Sequence, residues 1–258
     1  MGPATTTRAE LDRFLTELFD PASFADYGPN GLQIEGTDEI ARVAFSVSAT
    51  AHSAAVAVQQ DAQALIVHHG LFWQFHGART LTGPFARRVF PLVRHGINLF
   101  AYHLPLDAHP EIGNAAQLGL RIGLTELDAF GNHQGRPTGI RGCLPEPLPA
   151  AALRMRLQTA LDHAVLLASP DDPRPIRSIG IITGGANGGW KDAVAAGLDA
   201  YVTGEMSEHD WHEAREAGIY MFAGGHHATE QFGIQALMAH VSDAFALDCF
   251  YIPSDNPA

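Results

Sequence analysis

The chain has almost no lysine. Lys191 is the only one in 258 residues, and acidic residues outnumber basic ones 28 to 16, for a formal charge of −12. A general grip on nucleic-acid backbone needs a basic surface, so nucleic acid is a disfavoured partner, with only a local arginine patch left open. Cysteine is scarce as well. Cys143 and Cys249 stand far apart without metal-ligand spacing, which argues against a disulfide framework and against a zinc finger. No apolar run reaches about 18 residues, and no charged segment followed by an apolar stretch opens the chain. A soluble cytoplasmic protein with no membrane partner is the expectation.

What is present is apolar residue and histidine. Hydrophobic residues make up 46% of the chain, enough for a substantial core, and the length allows one large domain or two smaller ones. The fourteen histidines cluster. In AGGHHATEQFG, residues 223–233, His226 and Glu230 are four apart and would share one face of a helix that follows a short apolar strand. An imidazole and a carboxylate so placed can grip a first-row divalent metal, although an ordinary solvated helical pair has the same spacing. Val67-His68-His69-Gly70 closes another apolar strand and Tyr102-His103-Leu104-Pro105-Leu106-Asp107 a third. Three strand ends bearing His and Asp form a metal-site constellation.

The pattern of elements is α/β. Residues 8–19 have helical spacing, 31–34 and 42–48 read as strands, 50–60 as an alanine-rich helix, 64–67 as a strand, 84–95 as a helix and 97–101 as a strand. Residues 71–83 form a turn-rich insertion with aromatics. Composition shifts toward Gly and Pro over 128–149, with a brief strand at 140–144, then a helix at 150–161 and a strand at 164–168. This shift places the expected seam between a first half, residues 1–127, and a second, residues 128–258. The second half repeats the first: strand, turn, alanine-rich helix and strand over 43–68 recur over 179–204, and GINLFA at 96–101 matches GIYMFA at 218–223. Between these blocks the first half holds 14 additional residues. Two α/β halves of common ancestry are the reading.

In open α/β sheets ligands gather at the carboxyl ends of strands. Two such halves facing each other would bring His68, His69, Asp107, His226 and Glu230 to one cleft. That set suits two metal ions about 3.5 to 4 Å apart with open coordination positions, the arrangement that acidifies a water for hydrolysis.

At these motifs the chain resembles a known family. NGLQ at 30–33, VHHG at 67–70, AYHLPLDAHPEIGN at 101–114, TGE at 203–205 and GGHHATE at 224–230 closely resemble the Nif-three-like proteins, also called dinuclear metal-centre hexameric proteins or type 2 GTP cyclohydrolase homologues. The resemblance implies that His68 and His69 are paired ligands, that Asp107 supplies a carboxylate, and that His226 and Glu230 complete the site with Glu230 as the bridge. It further implies a ring-shaped homohexamer and, through the cyclohydrolase label, hydrolysis of a nucleotide-like small molecule. Zinc, iron, manganese, cobalt and nickel all suit these ligands. A metal-binding scaffold or metal-handling protein would use the same ones.

Other residues admit two readings each. His103 is a ligand, an orienting partner or a structural histidine; His227 is a proton shuttle or a packing residue at a helix start. Glu205 is a proton acceptor or substrate contact, or a carboxylate favoured by a helix dipole. His209 and His212 suggest an ancillary site or a solvated face. The glycines of 183–189 could cradle a phosphate or simply make a tight turn. Phe72, Trp73 and Phe75 could stack on a base or form an interface, and Arg87, Arg88 and Arg94 could flank a polyphosphate or solvate a helix.

Overall fold

The computed structural model describes residues 4–258. Contacts divide the chain into two units. One ends at Leu106 and resumes over Ile234–Asp255; the other comprises Asp107–Gly233 with Asn256–Ala258.

The first unit opens with a two-residue strand, β1 (Thr6–Thr7), and helix α1 (Arg8–Phe19). Thr7 and Glu10 cap this helix reciprocally: the Thr7 hydroxyl accepts from the Glu10 N–H at 3.2 Å and the Glu10 carboxylate from the Thr7 N–H at 3.0 Å. Asp20, at φ 41°, ends it in a left-handed turn. Strands β2 (Gly31–Ile34), β3 (Glu39–Ile40) and β4 (Arg42–Ser48), helix α2 (Ala51–Gln59), strand β5 (Ala64–His69), helix α3 (Gly83–Arg94) and strand β6 (Asn98–Ala101) follow, and β13 (Asp248–Tyr251) returns to this unit. Five strands form one sheet in the order β13-β4-β5-β6-β2, and β1 pairs separately with β3. The pairs β4–β5 and β5–β6 are parallel. Their residues are buried at nearly every position, as strands covered on both faces require. Leu65, Val67 and Leu99 lie in this unit's core.

After a single helical turn, α4 (Leu104–Asp107), the second unit runs through α5 (Asn114–Arg121), β7 (Thr125–Phe130), β8 (Gly139–Leu148), α6 (Ala150–Leu161) and β9 (Leu166–Ala168). It continues with β10 (Ile176–Ile181), α7 (Trp190–Ala195), β11 (Ala200–Thr203), α8 (Glu208–Glu216) and β12 (Tyr220–Ala223). The last helix, α9 (His226–Phe245), belongs to the second unit as far as Gly233 and to the first thereafter. The sheet order is β7-β8-β10-β11-β12-β9, over a core that includes Ile179, Val202 and Phe222.

The two sheets share an order of connection. Parallel β4–β5–β6 is flanked by antiparallel β2, and parallel β10–β11–β12 by antiparallel β9. Register repeats too. Val43 pairs with Ala64 and Ile179 with Ala200, both 21 residues on. Ala64 then pairs with Asn98 and Ala200 with Tyr220, intervals of 34 and 20 residues. The first ladder therefore holds 14 additional residues between β5 and β6, as the sequence indicated.

The seam differs from the expected one. Residues 127 and 128 lie inside β7, the unit boundary falls at 106/107, and residues 234–255 return to the first unit. The Gly- and Pro-rich shift after Leu127 builds the antiparallel β7–β8 pair rather than a linker. Among the described residues no helix is long and apolar enough to cross a membrane.

Candidate metal centre

Parallel strands deliver their carboxyl ends to one edge of a sheet, and the histidines of the first unit stand at such ends. His68 and His69 finish β5, and His103 follows its neighbour β6 by two residues. Candidate ligand atoms of His68, His69 and His103 all lie within 4.8 Å of one another. The rings pack at centroid distances of 4.5 Å for His68–His69, 5.1 Å for His68–His103 and 5.6 Å for His69–His103.

Each ring is held from behind. His68, fully buried, has its Nδ1 3.1 Å from the Tyr102 carbonyl. A carbonyl only accepts, so Nδ1 donates and Nε2 is the lone-pair nitrogen of the neutral ring. His69 Nδ1 lies 3.1 Å from the Ser48 hydroxyl. His103 Nδ1 lies 2.7 Å from Asp26 Oδ1. Burial works to raise the Asp26 pKa, but the contact with His103, the Asn30 amide and the Leu104 N–H outweigh it and hold this carboxyl down at about 2. Trp73 donates its indole N–H to the Gly70 carbonyl at 3.1 Å and sets its ring edge-on to His103 at 5.0 Å.

The second unit gathers a different set at the ends of β10, β11 and β12. His226, the first residue of α9, lies between two carboxylates: Nδ1 is 2.5 Å from Glu205 Oε1, and Nε2 is 3.2 Å from Glu230 Oε2 one turn along the same helix. Burial opposes the charged ring, yet Glu230 and Glu205 prevail and raise the His226 pKa to about 9. Glu230 itself is buried. Gly184, at φ 66°, packs directly on Glu230 and His226, and a Cβ there would occupy the carboxylate's place. Its N–H donates to the Thr229 hydroxyl at 3.1 Å, which donates in turn to the His226 carbonyl at 3.0 Å. Asp107 is buried and accepts from the Asn114 amide at 2.8 Å and the Thr183 hydroxyl at 3.3 Å.

The fold thus brings His68 and His69 together in one unit and His226 and Glu230 together in the other, and it adds His103 to the first pair. Glu205 sits on the far ring nitrogen of His226, where it orients that imidazole. His227 gives its N–H to the Ala258 carbonyl at 2.8 Å, and burial keeps its ring's pKa below the ordinary value despite nearby Glu230. His209 and His212 pair with Asp210 and Glu208 on α8. Phe72 and Phe75 are exposed, whereas Trp73 packs on the histidines. Arg87 and Arg88 lie along α3, and Arg94 covers Phe90.

Sequence reasoning missed Asp26, Ser48 and Thr229. Asp26 is 77 residues from His103, and no local spacing announces such a partner. The donors fit a divalent first-row ion in kind: imidazole nitrogen and carboxylate oxygen, with no cysteine among them.

Parallel α/β ladders ending in imidazole and carboxylate donors define a protein with candidate metal sites. The chain belongs to the Duf34/NIF3 (NGG1p interacting factor 3) family, whose sequence model matches residues 6–257. It is 41% identical over 254 residues to a GTP cyclohydrolase 1 type 2 homolog of Pseudomonas aeruginosa, covering 98% of each chain. It is 40% identical over 252 residues to the protein of the same description in Neisseria meningitidis serogroup A, covering 97% of this chain and 99% of that one. Among solved structures, the protein ybgI, of unknown function, superposes with a TM-score of 0.92 at 36% identity, over 98% of this chain and all of that one. TTHA1606 from Thermus thermophilus gives 0.85 at 31% identity with the same coverage.

Proposed function

We propose that this protein is a divalent-metal-dependent hydrolase acting on a small, nucleotide-like molecule. The observation that carries the reading is the pair of donor sets at equivalent strand ends of two ladders with the same register. Two such halves, descended from one ancestor, would enclose a cleft in which His68, His69, Asp107, His226 and Glu230 hold two ions, with Glu230 as the bridge. Zinc, iron, manganese, cobalt and nickel all suit these ligands. When bound, such a pair acidifies water and stabilises developing negative charge.

The chain's own residues supply the rest. The Tyr102 carbonyl and the Ser48 hydroxyl hold His68 and His69 in place, and Glu205 holds His226. Glu205 and His227 are the groups assigned to proton movement, since both lie beside the His226–Glu230 pair and remain partly exposed. The description shared by the relatives, GTP cyclohydrolase 1 type 2 homolog, supports a nucleotide as the first substrate to test. We further propose a cytoplasmic homohexamer.

A scaffold or metal-handling role is the second reading. His68 and Glu230 are 0% and 3% exposed, and ligands buried so deeply suit retention of an ion as well as turnover.

Elemental analysis of untagged protein purified without chelator, beside Glu230→Ala with its fold checked, tests the proposal. The expected result is two metal equivalents per chain, lost in the variant, with metal-dependent hydrolysis of GTP or a phosphoester. One equivalent or none after resupply overturns the bridged pair. Two equivalents without turnover of any nucleotide favour the scaffold.

A further inference from the structure

We infer that Asp26 is a positioning residue for the histidine cluster, fixing His103 as the tautomer that turns its Nε2 lone pair toward His68 and His69. The inference deepens the proposed metal-site reading and rests on it for the role of the cluster.

Its ground is the geometry of one carboxylate. Asp26 lies in the loop after α1 with a side chain only 2% exposed. Four donors converge on it. Oδ1 accepts from the Tyr27 N–H at 2.6 Å and lies 2.7 Å from His103 Nδ1; Oδ2 accepts from the Leu104 N–H and from the Asn30 amide, each at 2.9 Å. A peptide N–H can only donate, so the contacts from Tyr27 and Leu104 make both oxygens acceptors. The hydrogen toward His103 must then come from the ring. With Nδ1 protonated, Nε2 of the neutral imidazole is the lone-pair nitrogen.

The backbone reinforces this arrangement. The His103 N–H donates to Asn30 Oδ1 at 2.8 Å while the other end of the same amide donates to Asp26. Asn30 thereby ties the ring's own peptide to the carboxylate that grips the ring. The Trp73 ring packs perpendicular to His103 at 5.0 Å, so the imidazole contacts an indole as well as the carboxylate. His68 obtains the same orientation from a neutral carbonyl. His103 receives it from an anion. A structural histidine could be satisfied by any acceptor. The full acceptor capacity of a buried carboxylate spent on one ring and its loop indicates that the ring's exact setting matters.

Two measurements test the inference. Nitrogen-detected NMR of the metal-free protein, with His103 assigned by loss of its signal in His103→Ala, reads the tautomer directly. An Nδ1–H tautomer is expected, and Nε2–H in the wild type overturns the inference whether or not the protein binds metal. The second is a double-mutant cycle on zinc affinity by chelator competition. Asp26→Asn is expected to weaken zinc binding about 10- to 100-fold in the wild-type background and less than about 2-fold in His103→Ala, because the carboxylate acts through that ring. Equal losses in both backgrounds assign Asp26 to loop structure and overturn it. A wild type that takes up no zinc or other divalent ion sinks the hydrolase reading instead, and the tautomer then decides this one. Should Asp26→Asn not fold, the wild-type NMR result still decides.

Discussion

Gly184 has no room for a side chain beside Glu230 and His226. It combines a left-handed φ of 66° with packing against Glu230 and His226, so Gly184→Ala adds strain of about 1–3 kcal/mol and pushes the carboxylate aside. Thermal melting of the metal-free variant should fall by several degrees, and its zinc affinity should drop with it. Asp199 answers to pH. Burial raises its pKa, but the N–H groups of Ser178 and Arg177, the Ser178 hydroxyl and Arg174 bring it below the ordinary 3.8. A carboxyl depressed in the folded state contributes stability above its unfolded pKa and loses it as pH falls through the folded value. Melting curves from neutral pH into acid should therefore show a smaller acid loss in Asp199→Asn than in the wild type. The same residues show what a sequence reveals. The clustering of His68 with His69 and the pairing of His226 with Glu230 were legible because both follow from short sequence spacings at strand and helix ends. Asp26 was not, because its meaning lies in a contact 77 positions away, and His103 stayed ambiguous for want of that partner.

Helix α9 gathers three of the site's side chains within its first two turns. Its first turns present His226, Thr229 and Glu230 together, and the buried Thr229 hydroxyl is the acceptor for the Gly184 N–H. Thr229→Val keeps the shape and removes that acceptor. Leaving a buried N–H unsatisfied costs about 1–3 kcal/mol, which a lowered denaturant midpoint would register, and metal retention should weaken as the Gly184 turn loosens. Elements with strong periodicity were readable: β4 and α6 fall where the pattern placed them. Strand β7 was hidden because TELDAF is largely exposed and polar. Strand β13 was hidden because four residues pair in parallel with β4, more than 200 positions earlier, and no local signal marks so distant a partner.

The whole molecule should be stabilised by its metal. Binding restricted to the folded state adds about 2.7 kcal/mol when free metal is 100 times Kd, roughly 5 to 11 °C for a protein of this size. Chelation should reverse the gain, and Glu230→Ala should show little of it. A melting temperature indifferent to divalent metal would argue against any resident ion. The repeated ladder was visible in the sequence because strand spacing survives in the register. The unit boundary was not, since a change in composition marked an antiparallel pair within a unit.

The return of residues 234–255 to the first unit has a consequence for the order in which the protein can be made. Its five-stranded sheet needs β13, so one edge of β4 stays unpaired until residues 248–251 have left the ribosome. Apart from its last three residues, the second unit lies in one continuous stretch ending at Gly233. It can close first although it is synthesised second. Stalled nascent chains released at residue 233 should resist protease over 107–233 while residues upstream of 107 are still cut, and protection there should appear only in chains that extend past Tyr251.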